Sequence, residues 1–256
     1  MQRFLITITD KRTMRKRRVV VLVFAIVTLS ACSASSHLER GFAHVEHGRY
    51  EKAIVAFDKA IRLQPDLVDA YNNRGSAYIG LGRYEQAIAD YDEAIRLQPD
   101  LAWAYINRGN AYGLLGQNER AIADYDEGIR LQPDFADAYN NRGTSHAALS
   151  QYEKAIADYD EAVRLQPDFA EAYFNRGLAY ADLGRYEKAV SDYNEAIRLQ
   201  PDYARAYHKR GIAHADLGRY AEAVSDLETA LELAQTAGND DLAARIEEAL
   251  EAVRNP

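Results

Sequence analysis

Apolar side chains recur at three- and four-residue spacing from Ala70 to Leu81 and again from Glu85 to Leu97, the period of helices that each bury one face. Gly82, Gly116, Gly184 and Gly218 stand where the first helix of such a pair must stop, and glycine suits the left-handed residue just past a helix end. Asp66, Asp134 and Asp168 precede the following helix, with an acid three residues on at Asp69, Asp137 and Glu171. That spacing predicts a capping box, in which the first side chain satisfies backbone N–H groups the helix leaves open.

The pairing recurs. Pro65, Pro99, Pro133, Pro167 and Pro201 lie 34 residues apart, each inside Leu-Gln-Pro-Asp, and a fixed period of this size takes precedence over local signals. With each proline set at position 32, six copies run 34–67, 68–101, 102–135, 136–169, 170–203 and 204–237. Position 8 is then glycine and position 20 alanine in every copy, and position 27 is alanine except for Gly128. Position 24 is Phe57, Tyr91, Tyr125, Tyr159, Tyr193 and Leu227. Small residues facing large ones at fixed phase imply helices in close approach, so a bulky side chain at Gly143 would overpack the joint at a cost of roughly 1–3 kcal/mol. Past the last copy, Asp240 to Val253 reads as an amphipathic helix with a polar back, as the end of a stack requires. No stretch between copies reads as a linker, which predicts a single domain.

Small residues at positions 8, 20 and 27, aromatics at 4, 11, 17 and 24 and proline at 32 resemble the tetratricopeptide repeat family over roughly residues 37–237. The resemblance implies an all-α fold: a right-handed superhelical solenoid of six antiparallel helical hairpins, closed by a capping helix over 238–256. Repeat 1 departs from the pattern with His37 and His44 at aromatic positions, and repeat 6 lacks the proline.

The first 31 residues follow a different logic. Met14-Arg15-Lys16-Arg17-Arg18 is basic, Val19 to Leu29 is almost wholly apolar, and Ser30-Ala31-Cys32 follows. A positive start, a short apolar run and small residues before a cut describe a secretory signal peptide over 1–31. The run is about half the ~20 residues that span a bilayer, so an uncleaved spanning helix fits less well. Met1 to Thr13 fits neither part, and Met14 suits the start of translation. Leu29-Ser30-Ala31-Cys32 resembles the lipobox of bacterial lipoproteins, which implies cleavage before Cys32 and a diacylglycerol on its thiol. An ordinary signal peptide that happens to carry a cysteine is the plainer alternative. Each buried methylene adds about 0.8 kcal/mol, so two or three acyl chains anchor stably. Residues 32–36 would then be the lipidated tether, and Ser33 resembles the pattern that sorts to an outer membrane, facing the periplasm.

Charge changes meaning once that segment is set apart. Residues 1–31 hold seven Lys/Arg and one Asp, so the remainder keeps 24 basic and 38 acidic residues. An acidic body repels phosphate backbones, which excludes nucleic acid as a partner class, and any attachment to anionic lipid needs an explicit anchor. The single cysteine excludes an intramolecular disulfide and a cysteine-only zinc cage. His44 and His47 lack an evident third ligand, and the sequence has no phosphate-cradling glycine loop, zinc-protease helix or serine elbow. The carboxylates recur at fixed positions of solvated helix faces. No metal, cofactor or catalytic site is expected.

Six copies in one chain separate what a scaffold holds constant from what it leaves free. Arginine at position 7 (Arg40, Arg74, Arg108, Arg142, Arg176, Arg210) and aspartate at position 23 (Asp90, Asp124, Asp158, Asp192, Asp226) predict a repeated ion pair between paired helices. An arginine stripe for acidic ligands is the functional alternative. Asp92 and Arg96, Asp126 and Arg130, and Asp160 and Arg164 sit four residues apart, as surface pairs do.

The family resemblance implies a concave groove lined by first-helix positions 2, 5, 6, 9, 12 and 13. Position 6 is Asn73, Asn107, Asn141 and Asn175, then Lys209. Such a ladder of amides would hold the backbone of an extended peptide, unless Asn-Arg-Gly is a scaffold triplet alone. Trp103, Ile106, Phe174 and Leu178 are large apolar residues on that nominally exposed face and read as anchors. Arg205 and Lys209, with Asn175 one repeat earlier, resemble half of a carboxylate clamp, while Asn140 and Thr144 replace the other half. The expected function is a membrane-tethered, non-catalytic adaptor for proteins or peptides in the bacterial envelope. The alternative is a self-assembling homo-oligomer whose groove is filled by a neighbouring subunit.

Overall fold

The computed structural model describes residues 33–254; the expected signal peptide, Cys32 and the last two residues lie outside them. All the regular elements described are helical. They are α1 (33–46), α2 (Tyr50–Leu63), α3 (Val68–Gly80), α4 (Tyr84–Leu97), α5 (Ala102–Leu114), α6 (Asn118–Leu131) and α7 (Ala136–Ala148). There follow α8 (Tyr152–Leu165), α9 (Ala170–Asp182), α10 (Tyr186–Leu199), α11 (Ala204–Asp216), α12 (Tyr220–Thr236) and α13 (Asp240–Arg254). The chain divides after Pro99 into two compact units. Stacked hairpins are held by their neighbours alone, with no shared centre to weld distant copies together. The first unit contains α1–α2 and α3–α4; the second contains four hairpins, α5–α6 to α11–α12, closed by α13.

The turns show why the hairpins end where they do. At the end of α3, Gly82 takes φ 69°; its N–H donates to Ile79 O at 2.9 Å, and Arg83 N–H donates to Tyr78 O at 2.9 Å. This pair of bonds satisfies carbonyls the helix leaves open. Gly116, Gly184 and Gly218 repeat the left-handed turn, but the same seat after α7 is held by Ser150, at φ 58°. At the other end, Gln64 is extended (φ −141°, ψ 91°) because Pro65 excludes helical backbone in the residue before it.

One expectation fails here. The capping boxes do not form: the N-caps of α3, α7 and α9 are Leu67, Phe135 and Phe169, with no side-chain cap. The aspartates stand one residue too early, and backbone bonds such as Ala70 N–H to Leu67 O, 3.0 Å, tighten the first turn instead. Residues 33–36, expected as the tether ahead of the first hairpin, already belong to α1, with Ala34 fully buried. Ala34 occupies the buried position 1 that Ala102 and Ala136 hold in later copies.

The expected Arg–Asp pair is present and does more than pair two helices. Arg74 Nε and Nη2 donate to the two oxygens of Asp90 at 2.8 and 2.6 Å, while Nη1 reaches back to Asp58 of the preceding hairpin at 2.5 Å. In the second unit Arg142 joins Asp158 to Asp126, and Arg176 joins Asp192 to Asp160. Arg210 joins Asp226 to Asn194, and Arg108 binds Asp124. The aspartates at position 25 therefore serve a neighbouring copy. The expected pairs four residues apart give way to three-residue pairs: Arg96–Glu93, Arg130–Glu127 and Arg164–Glu161. Burial pushes the carboxyls of Asp90 and Asp192 upward despite the guanidinium beside each.

Position 8 meets position 24 as expected: a Cβ on Gly143 would lie 2.8 Å from the Tyr159 ring. The buried tyrosines also reach position 9. Tyr91 Oη lies 3.3 Å from Ser76 Oγ, Tyr125 Oη donates to Asn110 Oδ1 at 2.7 Å, and Tyr159 Oη lies 3.3 Å from Thr144 Oγ1. In α9–α10 position 9 is Leu178, and the buried Tyr193 Oη has no partner among the described residues.

Ser150→Gly is expected to raise the stability of the second unit by about 0.5–1 kcal/mol, since a side chain in the left-handed region costs more than glycine's added freedom. An unchanged or lowered urea midpoint would contradict this. Tyr193→Phe should be neutral or stabilising, whereas Tyr125→Phe should cost about 1 kcal/mol by leaving Asn110 short of a donor. Paired urea melts of the two variants check the contrast, and equal losses would refute it.

Candidate functional site

In the second unit α5, α7, α9 and α11 touch one another in order, and the second helices pack on these first helices. The faces that the first helices turn away from their partners form a continuous strip. On α5 the strip carries Trp103, Asn107, Asn110 and Leu114, whose spacing of four, three and four residues keeps them on one side of the helix. Trp103, Asn107 and Asn110 are half-buried, and Leu114 is 54% exposed. An indole and an isobutyl group thus flank two amides. Leu114 has no large apolar parallel among its counterparts Glu46, Gly80, Ala148, Asp182 and Asp216, which hides it in a copy-by-copy reading. Its place at position 13 of the implied groove was the available signal.

The amide ladder is engaged within the protein first. Asn141 Nδ2 donates to Asn110 Oδ1 at 3.0 Å, and Asn175 Nδ2 donates to Asn140 Oδ1 at 3.1 Å. Asn140 Nδ2 in turn donates to Asn141 Oδ1 at 3.3 Å. The amides therefore stitch successive hairpins together, and of the donors the half-buried Asn141 and Asn175 each keep one further N–H, while Asn140 is buried. Asn110 Oδ1 accepts from both Tyr125 and Asn141, while its own Nδ2 has no protein partner among the described residues. In the first unit Asn73 folds back on its own helix, donating to Asp69 O at 2.7 Å.

Two of the four expected anchors are not on the surface. Ile106 is 3% exposed and Phe174 is 1% exposed. Position 5 turns inward, as Asn140 and His208 also show. Ile106 fits because the facing position 27 is Gly128, where a Cβ would come within 2.6 Å of Ile106 Cγ1. The coincidence of the single isoleucine with the single glycine was legible in the sequence. Phe174 packs against Tyr193 and Tyr203, with ring centroids at 5.8 and 4.9 Å.

Leu178 is half-buried against the same cluster, which leaves Trp103 and Leu114 as the apolar groups that reach furthest into the strip. At the far end Arg205 is exposed, with its guanidinium 4.9 Å from the Phe174 ring centroid. Lys209 is half-buried next to His208. Burial, then the charges of Lys209 and Arg245, push the His208 imidazole down to about 4. The strip therefore runs from an apolar and amide section on α5 to a cationic section on α11.

Models described as TPR repeat match residues 41–82, 75–116, 145–184 and 177–218. Models described as tetratricopeptide repeat match 102–135, 124–157 and 204–237. Among solved structures the chain is similar to MamA, with 27% identity and a TM-score of 0.60 over 64% of this chain and 96% of that one. It is also similar to YrrB, described as a TPR protein with an unusual peptide-binding site, with 25% identity and a TM-score of 0.60 over 75% of this chain and 98% of that one. A tetratricopeptide repeat protein from Parabacteroides merdae shares the fold, with 20% identity and a TM-score of 0.66 over 88% of this chain and all of that one. No curated protein matches the chain. The matched segments run without a gap from residue 41 to residue 237, the span in which glycine, tyrosine, arginine and aspartate recur in phase, and the chain belongs to the tetratricopeptide repeat family.

Proposed function

We propose that this chain is a non-catalytic scaffold that binds an extended segment of a partner protein along the first-helix strip of its second unit. The observation that carries the reading is the α5 stripe, where Trp103 and Leu114 bracket Asn107 and Asn110. A large half-exposed aromatic ring beside the Asn110 amide, whose Nδ2 has no partner among the described residues, suits a peptide, whose backbone carbonyls accept and whose side chains bury. The likeness to YrrB, described as having a peptide-binding site, supports the same reading. Arg205 and Lys209 add a preference for an acidic or C-terminal carboxylate group at the α11 end.

The second part of the proposal is location. Cys32, preceded by Leu29-Ser30-Ala31 and a basic–apolar segment, would carry the lipid that holds the scaffold at a membrane of the bacterial envelope. Among the described residues no helix is long and apolar enough to cross a membrane, so attachment would rest on that anchor. The helix that starts by Ser33 would leave little slack between lipid and first hairpin.

Crosslinking and pull-down from membranes should recover a partner with the native chain and lose at least about tenfold of it with Trp103→Ala combined with Leu114→Ala, since two central anchors at ~2 kcal/mol each dominate such a surface. An unchanged set of crosslinked partners would end the groove reading. For the anchor, Cys32→Ser should release the protein from the membrane fraction and abolish labelling by radioactive palmitate. Retention with undiminished label would remove that half of the proposal alone.

A further inference from the structure

The first unit presents a cavity of about 340 Å³ on the outer face of hairpin α1–α2, lined by His37, Arg40 and His44 from α1 and by Lys52, Val55 and Lys59 from α2, among others. These residues hold positions 4, 7, 11, 19, 22 and 26 of repeat 1. Their equivalents elsewhere show what belongs on such a face. In every later hairpin except α5–α6, for which only the Asp124 bonds are described, the position 7 arginine holds position 23 of its own copy and position 25 of the second helix before it. Repeat 1 has neither acceptor. Position 23 is Ala56, and no preceding second helix is present among the described residues. Arg40 is exposed, with a 3.4 Å bond to Ser36 Oγ as its described contact.

The charge around Arg40 is one-sided. Lys52 and Lys59 flank it, and Glu51 is the acid in the lining. Burial and the charges of Arg40, Lys59 and Arg62 hold the His37 imidazole below its ordinary range. Val55 is 52% exposed beside these cations, an apolar floor under a ring of positive groups. A helix with a carboxylate on the facing side would fill this space, as α6 packs on α7 and gives Asp126 to Arg142.

Three occupants compete. Residues 1–31, with seven basic residues and one acid, are of like charge to the cavity. A second copy would have to offer the matching carboxylate of its last second helix, Glu228 on α12, but Arg254 of α13 already binds it at 2.6 Å. A separate acidic helix meets neither objection. We propose that the outer face of α1–α2 is a docking socket for an amphipathic, acidic helix of a partner protein, which presents a carboxylate to Arg40 as position 25 does in later hairpins. This socket is distinct from the peptide strip of the second unit and does not depend on it.

The test uses a labelled, end-blocked peptide of sequence NERAIADYDEGIRL, identical to Asn118–Leu131, titrated into the full chain in mild detergent and followed by fluorescence anisotropy. Saturable binding is expected, weakened at least about tenfold by Arg40→Ala or by replacing the peptide's second aspartate, the equivalent of Asp126, with asparagine. Circular dichroism should show Arg40→Ala as helical as the native chain, since Arg40 is exposed. Trp103→Ala should leave this binding unchanged, which separates the socket from the strip. The proposal is overturned by equal affinity in Arg40→Ala or by no saturation at millimolar peptide. It is also overturned if Arg40 governs concentration-dependent dimerisation in light scattering, or binding to phosphatidylglycerol vesicles, while the peptide does not bind.

Discussion

The guanidinium at position 7 is the constraint on which the stack depends. One planar group is committed twice, through two parallel bonds to the aspartate of its own hairpin and a third to the hairpin before it. Its geometry fixes the distance between paired helices and the step to the next pair in one act. The tyrosine three residues earlier lies under the same guanidinium, at 5.3 Å for Arg176 over Tyr173. Burial raises the carboxyls of Asp90 and Asp192, so desolvation offsets much of the attraction. Such a pair contributes more to registration of the helices than to net stability, which comes from the alanine, glycine and tyrosine packing around it.

That registration is what makes the strip on the first helices usable. With helix spacing set from the outer side, the inner faces can vary without loosening the stack. Asn110, Thr144 and Leu178 all occupy position 9, yet each hairpin closes over its tyrosine in the same way. Leu178 leaves a buried hydroxyl without a partner. The amides stitch neighbouring hairpins through Asn110 and Asn141 on the strip and through the buried Asn140 beneath it.

Helices, turns and the Arg–Asp pair were legible in the sequence because they depend on residues that recur at a fixed phase. The capping boxes misled because Asp66 and its counterparts lie on the proline turn, a residue short of the cap. Position 25 misled for a related reason: Asp126 and Arg130 are four apart on one helix, but a guanidinium from the next hairpin lies closer to Asp126. A linear spacing rule sees only its own helix. Burial at position 5 was harder, since leucine, asparagine, isoleucine, phenylalanine and histidine share it without a common chemical character. The match of Ile106 with Gly128 was the one sign of the contact in the sequence, and reading Ile106 as an anchor passes over it; Leu114 shows the converse, a surface residue concealed by having no repeat.

The second helices of the second unit pack on first helices and not on one another. An arrangement of this kind behaves like a leaf spring hinged at its inner edge. Small rotations at successive joints add up along the row, each shared between an arginine link such as Arg210 to Asn194 and the apolar packing of Phe174, Tyr193 and Ala206 that crosses the joint. A strip built this way spreads its compliance over the hairpins instead of concentrating it in a hinge.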